Sequence, residues 1–363
     1  MTHPAEGRMP ERRHLPAVVP GRPPVTLHRD DDVTGLEVAK ELQHQAAFKR
    51  LSETHDDAPT LAFPDLERVT GPMLDGQLWV VLARPENGKT TFLLNVGRRW
   101  LRDGIGFAYF GTEEAADAAT LRFAAIRVGR DPGAVVAGEW ARASHPDERP
   151  DNGLWPAQIE LAGELTRLRD EEPVYFAPDT RPTLGDVRRV AYEAKRLGLS
   201  LLVLDHFHRM AVPESHNQTA TLAETVRQIK QLAVDTGLII VMAAQAKRSD
   251  HPIGQYQPPP PDGGMGTSAL EQEADVLLGL FRPLKRLPQK ELNQRIKEFL
   301  AGDIERDEIL MPHTMGVRVL KHRRNADLSG KTAFLHCEKG MLANHLHPIR
   351  HRDREAPMHG EAS

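Results

Sequence analysis

The stretch from Gln77 to Leu94, QLWVVLARPENGKTTFLL, decides the fold class of this chain. An apolar, β-rich run ends in a short loop that carries Gly88, Lys89 and Thr90, and an apolar helical pattern follows. This order of strand, loop and helix is typical of a phosphate-binding P-loop, because the amides and the dipole at a helix start favour an anion. We therefore predict a nucleotide site at this loop.

The residues of the loop have separate expected roles. Gly88 lets the backbone approach phosphate oxygens, Lys89 reaches the β- and γ-phosphates of ATP, and the hydroxyl of Thr90 ligates Mg²⁺. The full pattern expects glycine where Ala83 stands, and Glu86 adds negative charge near the phosphates. The predicted nucleotide-binding set is Ala83, Arg84, Pro85, Glu86, Asn87, Gly88, Lys89, Thr90 and Thr91.

Composition limits the remaining possibilities. The chain has 363 residues, is 40% hydrophobic and carries a net charge of -4 from 47 basic and 51 acidic residues, so extensive wrapping of duplex DNA is not expected. A narrow basic channel is still compatible with this balance. The single cysteine, Cys337, forms no intramolecular disulfide. Without a secretory leader pattern or an apolar run of about 18 residues, we expect a cytoplasmic protein with no membrane partner.

Pattern changes divide the chain into four segments. Residues 1–31 are rich in Pro, Arg, His and Asp and are predicted to be a disordered tail. Residues 32–60 are predicted to hold a linker helix, with an apolar stripe near Leu36–Leu51, and a linker. Residues 61–340 form the main domain, and residues 341–363 are predicted to be a second disordered tail.

The main domain alternates between strand and helix patterns, which predicts a mostly parallel central sheet with helices on both faces. Two late strands predict an antiparallel extension at the C-terminal side. The predicted strands are Leu78–Ala83, Gly106–Phe110, Val174–Ala177, Leu201–Asp205, Leu238–Ala243, Val276–Phe281, Val317–Lys321 and Lys331–Cys337. The predicted helices are Thr90–Leu101, Ala116–Val128, Ala157–Asp170, Leu184–Leu197 and Leu222–Thr236. Pro- and Gly-rich residues 255–266 are predicted to be a long irregular loop.

Hydrolysis of ATP requires a metal-binding acid and an oriented water. Asp205 ends the wholly apolar run Leu201–Asp205, which fits a Walker B strand and predicts a magnesium ligand. Glu113 and Glu114 follow a neighbouring strand, and either could orient the attacking water or serve as charge at a helix start.

A sensor and a cationic finger are also expected near the γ-phosphate. Gln245 ends an apolar strand beside Walker B and could sense the phosphate, or its amide could pair with backbone at the strand end. Lys321, Arg323 and Arg324 in VLKHRRN could supply the finger, or could lie at a solvated strand end or contact nucleic acid.

Taken together, these segments resemble the C-terminal RecA-like motor domain of DnaB-type replicative helicases. ARPENGKTTF is similar to the family's P-loop, in which Ala often replaces the first Gly, and FGTEEAADAATLRF is similar to its second motif and places the catalytic glutamate on Glu113. LLVLDHFHRM resembles its Walker B region, and MAAQAKRSD resembles the segment that carries Gln245 and Arg248. GTSALEQEADVLLGLFRP and VLKHRRN resemble its later motifs, the second of which places Lys321 and Arg323 against a neighbouring subunit.

The resemblance implies a RecA-like P-loop NTPase that uses ATP and Mg²⁺ and works as a homo-hexameric ring on single-stranded DNA, with 5′→3′ movement. DNA contacts would come from Arg209, Lys247 and Arg248, and the further partners it implies are a primase or a helicase loader. Three features depart from the family pattern. No N-terminal collar pattern precedes the motor motifs, the S-D-L-R segment is not visible, and an extra residue in the finger motif leaves Arg323 and Arg324 as alternatives.

Two other functions remain open at this point. One is a recombination or repair ATPase of the RecA class, which would assemble on DNA without unwinding it. The other is a nucleotide-gated loader or scaffold without efficient turnover, which is favoured by Glu86 in the loop and by the missing collar pattern.

Overall fold

A nine-stranded sheet forms the centre of the protein, with the strand order β3-β2-β4-β5-β1-β6-β7-β8-β9. This computed structural model describes residues 58–112, 114–177, 181–213, 216–248, 257–265, 268–282, 290, 293–294, 297–298, 301 and 313–344. The strands are β1 Leu78–Ala83, β2 Phe107–Gly111, β3 Val174–Ala177, β4 Leu201–Asp205, β5 Ile239–Gln245, β6 Val276–Phe281, β7 Thr314–His322, β8 Thr332–Glu338 and β9 Met341–Asn344. Strands β1 to β6 pair in parallel, and β7 to β9 extend the sheet in antiparallel fashion.

Helices pack on both faces of the sheet. In chain order, the helices of the described residues are α1 Pro64–Thr70, α2 Lys89–Arg102, α3 Ala116–Arg127, α4 Pro132–Val136, α5 Trp140–Ala143, α6 Pro156–Asp170, α7 Leu184–Arg196, α8 Gln218–Thr236 and α9 Ala269–Glu273. Among the described residues, none of them combines the length and the apolar character that crossing a membrane requires.

The domain has two hydrophobic cores, one on each face of the sheet, and strand β1 contributes to both. Its six residues are all buried, and Trp79 and Val81 join a core with Phe92 of α2 on one face. Val80 joins a second core with Ile229 of α8 on the other face. Burial on both faces explains why the central strands read as continuous apolar runs rather than alternating ones. The predicted RecA-like α/β architecture with an antiparallel extension is confirmed.

The C-terminal boundary of the domain differs from the predicted one. The prediction ended the domain at residue 340, whereas β9 continues it through Asn344 and pairs with β8. Gly340 makes the connecting turn with a φ of 76°, and Leu342 is buried against the core that covers α2. A turn with positive φ followed by one buried leucine is too short a signal to predict a strand. The predicted tail at 1–31, residues 32–57 of the predicted linker helix and linker at 32–60, and residues 345–363 lie outside the described residues.

Candidate active site

The predicted nucleotide residues converge because the carboxyl ends of four adjacent parallel strands meet at one edge of the sheet. Gly111 at the end of β2 lies beside Asp205 at the end of β4. Ala83 at the end of β1 lies beside Gln245 at the end of β5. Ligands of open α/β sheets bind at this edge, so the sheet order itself positions the candidate site.

Gly88 determines the backbone shape of the predicted P-loop. Gly88 has a φ of 85°, a left-handed conformation that glycine adopts without steric cost. A Cβ atom on Gly88 would lie 2.8 Å from Cε of Met315, so a larger residue would displace that methyl group and strain the left-handed backbone. Helix α2 starts at Lys89, and among the described residues no side chain caps its first turn. Its amides and dipole therefore favour an anion at this point.

Thr90 and Asp205 are in direct contact across the edge. The hydroxyl of Thr90 donates a 2.5 Å hydrogen bond to Oδ2 of Asp205. The phenol of Tyr109, on β2, donates a second hydrogen bond of 2.7 Å to the same oxygen. Asp205 is only 3% exposed, and among the described residues its other oxygen, Oδ1, is buried without a hydrogen-bond partner.

Burial governs the protonation of this group. It raises the pKa of Asp205 above its ordinary value of 3.8, although hydrogen bonds from Thr90 and Tyr109 and the nearby charge of Lys89 oppose the increase. Burial and the adjacent carboxyl likewise raise the pKa of Tyr109, which therefore remains a hydrogen-bond donor. The site is thus a water-poor position where a carboxylate gains from a bound cation.

The donor atoms fit a magnesium ion shared with a substrate phosphate. Asp205 Oδ1 lacks a partner and Thr90 supplies a neighbouring hydroxyl oxygen. No group of three or more His, Cys, Asp or Glu side chains within the described residues could hold a metal by itself. Mg²⁺ commonly takes one or two protein ligands and completes its shell with phosphate and water oxygens, so this sparse set is suitable.

Of the two candidate glutamates, the structure describes Glu114 but not Glu113. Glu113, the predicted catalytic glutamate, lies outside the described residues. Glu114 forms a two-pronged ion pair with Arg122 of α3, with N–O distances of 2.9 to 3.2 Å. This pairing restrains Glu114 beside the site, so orienting the water is left to Glu113 as a prediction.

Gln245 lies at the junction of β5 with a neighbouring segment. Its backbone carbonyl accepts a 2.9 Å hydrogen bond from the backbone amide of Met265. Its backbone amide donates a hydrogen bond of 3.2 Å to Nδ1 of the His208 ring. The side chain is half-buried, next to the start of the P-loop. The structure therefore brings the predicted sensor to the nucleotide edge, in contact with residues of the Pro- and Gly-rich loop.

Lys321 and Arg323 lie at the opposite end of the sheet from the P-loop, where the parallel strands begin. Strand β7 is antiparallel to β6, so its C-terminal end lies at the amino ends of the parallel strands. The amide of Arg323 donates to the carbonyl of Asp275, and the amide of Asp275 donates to the carbonyl of Leu78 at the start of β1. The P-loop follows the other end of β1, on the order of 15 Å or more away at 3.3 Å per residue. Neither cation can reach the phosphates of its own P-loop.

Asp275 and the end of α9 hold these cations in place. Lys321 donates to the carbonyls of Glu271 and Gln272 at 2.6 and 3.2 Å. Arg323 donates to the Gln272 carbonyl at 2.6 Å and pairs with the Asp275 carboxylate at 3.4 Å. Asp275 also accepts from Leu78 and from Lys230 of α8. The finger candidates are therefore fixed to the sheet.

The predicted DNA contacts lie on the surface. Arg209 follows β4 in a short 3₁₀ turn, and Lys247 and Arg248 follow β5. All three side chains are exposed, and the two strands that precede them are adjacent in the sheet. The described residues thus present cations at one edge of the sheet, where a phosphate backbone could bind.

Sequence reasoning missed Tyr109 and the role of Asp275. In the sequence, Tyr109 belongs to an apolar strand pattern that gives no sign of a polar role. Its hydrogen-bond partner, Asp205, is 96 positions away along the chain. Only the tyrosine's position near the carboxyl end of a strand beside Walker B could have suggested a polar role. Asp275 lies within a recognised motif, but its bonds to β1 and β7 depend on the register of the sheet.

The sequence model of the DnaB-like helicase C-terminal domain matches residues 60–336, which is well over half of the chain. This protein belongs to the DnaB-like helicase C-terminal domain family. The replicative DNA helicase DnaB of Haemophilus influenzae is 26% identical over 227 residues, which cover 61% of this chain and 46% of that protein. The DnaB of Helicobacter pylori is 25% identical over 251 residues, or 67% of this chain and 47% of that protein. The chain spans about half the length of the curated relatives it matches.

Solved structures show the same fold. A DnaB-like replicative helicase, studied together with its interactions with primase, has a TM-score of 0.63 at 15% identity and covers 85% of this chain and 71% of its own. Another solved structure, that of an ATPase domain, has a TM-score of 0.61 at 16% identity and covers 87% of this chain and 99% of its own. At such identities the similarity establishes the fold alone.

Proposed function

We propose that this protein is the motor subunit of an ATP-dependent DNA helicase that moves along single-stranded DNA as a ring. Membership of the DnaB-like family and the RecA-like fold support this class of activity. The observation that carries the proposal is the contact of Thr90 with Asp205, whose buried Oδ1 lacks a partner among the described residues. A sheet edge with this contact beside a P-loop is suited to a nucleoside triphosphate and its metal.

The residues of the edge have defined roles in hydrolysis. The backbone at Gly88 and the side chain of Lys89 bind the phosphates, and Thr90 with Asp205 would hold Mg²⁺, which would supply positive charge to the phosphates. Glu113 orients the attacking water as a general base. Tyr109 and burial fix the orientation of the Asp205 carboxylate.

The neighbouring subunit supplies the finger. Lys321 and Arg323 lie at the sheet edge away from their own P-loop, and Asp275 and the end of α9 hold them there. We assign Arg323 as the main finger residue, because it keeps the family's spacing from Lys321. The family resemblance favours a hexamer, in which each nucleotide lies between two subunits and isolated subunits hydrolyse ATP poorly.

DNA contacts are proposed for Arg209, Lys247 and Arg248, at the ends of the two strands that carry Asp205 and Gln245. Movement in the 5′→3′ direction and a primase or helicase-loader partner are proposed on the resemblance alone. One structural neighbour, the DnaB-like replicative helicase, is described with primase interactions, which is a statement about that protein.

The deciding experiment is ATP hydrolysis with and without single-stranded DNA, with Lys89→Ala as the inactive control. Strong stimulation by DNA in the wild type alone, followed by unwinding of a forked duplex, supports the proposal. Binding of nucleotide without turnover in either condition contradicts it and favours a loader or scaffold. Electron microscopy of the protein on single strands separates closed rings from the filaments of a recombination ATPase.

A further inference from the structure

His208 connects three separate segments of backbone through its ring. It lies in the 3₁₀ turn Phe207–Arg209, directly after the Asp205 strand. The amide of Gln245 donates to its Nδ1 at 3.2 Å, and its Nε2 lies 2.6 Å from the carbonyl oxygen of Met265. One side chain thus bridges the loop after Walker B, the end of the sensor strand and the segment 257–265.

These two partners determine the protonation of the ring. A backbone amide can only donate and a carbonyl can only accept, so Nδ1 must be unprotonated and Nε2 must carry the hydrogen. Both bonds therefore require neutral imidazole. Burial lowers the pKa of His208 below its ordinary value and the charge of Lys89 acts in the same direction, while the Met265 bond opposes them. With both nitrogens engaged by backbone, the ring has no ready donor for a DNA phosphate.

Segment 257–265 also contacts the nucleotide edge at other points. The side chain of Arg84, in the P-loop, donates to the carbonyl of Gln257 at 2.7 Å. The amide of Lys247 donates to the carbonyl of Gly263 at 2.8 Å, next to an antiparallel bridge between Ala246 and Gly264. The segment is therefore linked to the P-loop by a side-chain hydrogen bond and to the end of β5 by backbone hydrogen bonds.

We propose that His208 is a positioning residue that couples the nucleotide site to the DNA-facing loops, by fixing the turn after Asp205 to the backbones of Gln245 and Met265, which are also hydrogen-bonded to each other. This inference rests on the proposed function, since it concerns how that function is transmitted. Lys247 and Arg248 follow Gln245 along the chain, so a displaced strand end moves the cations proposed to contact DNA. His208 acts only through its neighbours and does not touch the substrate.

Three variants test this role. His208→Phe keeps an aromatic ring but removes both hydrogen bonds, whereas His208→Gln retains one acceptor and one donor. His216→Phe is the matched control, because His216 is exposed two positions before α8 begins. The main measurement is the ratio of the DNA-stimulated to the unstimulated kcat for ATP hydrolysis. Hydrogen exchange at the Gln245 amide reports on the bond itself, and thermal unfolding confirms that each variant is folded.

We expect His208→Phe to lower the stimulation ratio by about fivefold or more, as the loss of net hydrogen-bond free energy implies, and to speed exchange at the Gln245 amide. His208→Gln should retain about half of the wild-type ratio or more, since one amide can serve both partners. A wild-type ratio in His208→Phe overturns the proposal, and so does an equal loss in the Phe and Gln variants, because the donor and acceptor retained in His208→Gln would then have no effect. If the wild-type protein shows no stimulation by DNA, the proposed function fails instead. Unchanged exchange at the Gln245 amide in His208→Phe would separately overturn the hydrogen bond between Gln245 and His208.

Discussion

Tyr109 donates a 2.7 Å hydrogen bond to Oδ2 of Asp205, the same carboxylate oxygen that accepts from Thr90. The two donors occupy one oxygen and leave Oδ1 buried without a hydrogen-bond partner among the described residues. The phenol thus orients a buried acid whose free oxygen can face a cation.

Tyr109→Phe is expected to reduce kcat for ATP hydrolysis by about five- to tenfold, because a carboxylate that loses one of its two donors is less well oriented. The free energy of unfolding should fall by about 1 kcal/mol, the typical net value of one hydrogen bond. Steady-state kinetics and urea unfolding check both values. An unchanged kcat in a variant that is destabilised would show that the phenol contributes to folding alone.

Asp205→Asn is expected to abolish hydrolysis and to stabilise the nucleotide-free protein at neutral pH by about 1 kcal/mol, because it removes a buried charge. Burial raises the pKa of Asp205 above 3.8, so the folded state retains a proton that the unfolded chain has already lost. The contribution of Asp205 to stability is thus present below pH 3.8 and is lost as the pH rises through the raised pKa of the folded state. Urea unfolding over this range should show the difference between variant and wild type growing with pH. A difference that does not vary with pH would contradict the raised pKa.

Mixing two inactive variants tests whether the finger acts between subunits. Lys89→Ala lacks a working P-loop and Arg323→Ala lacks the finger, so each alone should lose most activity. In rings formed from an equal mixture, about a quarter of the interfaces join an intact P-loop to an intact finger, and activity should partly return. Arg324→Ala is the matched control and should keep most activity if Arg323 is the finger. Absence of recovery in mixed rings would refute the arrangement between subunits.

Gly88→Ala should weaken nucleotide binding strongly and lower the free energy of unfolding by about 1–2 kcal/mol, since the left-handed backbone opposes a Cβ atom and the end of the Met315 side chain would have to shift. Gly104→Ala is the control for the backbone effect alone. Gly104 has a φ of 77°, and within the described residues a Cβ atom there would meet nothing within 4 Å. Fluorescent-nucleotide titration and thermal unfolding compare the two. Equal nucleotide affinity in both variants would exclude a role for the shape of the Gly88 loop.

Lys247→Ala should weaken binding to single-stranded DNA regardless of its sequence. It should also reduce the slope of log affinity against log salt concentration by about 0.7, the value for one lost phosphate contact on a single strand. Lys195→Ala, an exposed lysine on α7, provides the control and should leave the slope unchanged. Fluorescence anisotropy at several salt concentrations gives both slopes. A slope unaffected in Lys247→Ala would place the DNA elsewhere.

The strands that are buried on both faces could be predicted most closely from the sequence. The predicted limits Leu78–Ala83, Leu201–Asp205 and Val276–Phe281 agree with the structure residue for residue, because polar or turn-forming residues bound each apolar run. Strand β7 was predicted as Val317–Lys321 but extends over Thr314–His322, since antiparallel pairing continues beyond its apolar centre. Helix α9 has only five residues, too few for a helical period to show.

In the candidate site, too, contacts between residues of local motifs could be predicted and contacts between distant segments could not. Residues that act through local motifs, such as Thr90 and Asp205, were predicted, and the structure brings them into contact. Residues that act through distant partners were not, because the pairing of Tyr109 with Asp205 or of His208 with Met265 depends on how strands and loops are arranged in three dimensions. The assignment of Glu113 stays a prediction, since that residue lies outside the described part of the chain.

The P-loop and the proposed finger, Arg323, lie at opposite ends of β1, and this separation has a consequence for assembly. In an open row of subunits, the first would have a nucleotide pocket without a finger and the last a finger without a pocket. Only closure of the row into a circle would complete every pocket, so hydrolysis per subunit should rise in a step when the last gap closes. The antiparallel direction of β7 would then make full activity depend on closure of the ring.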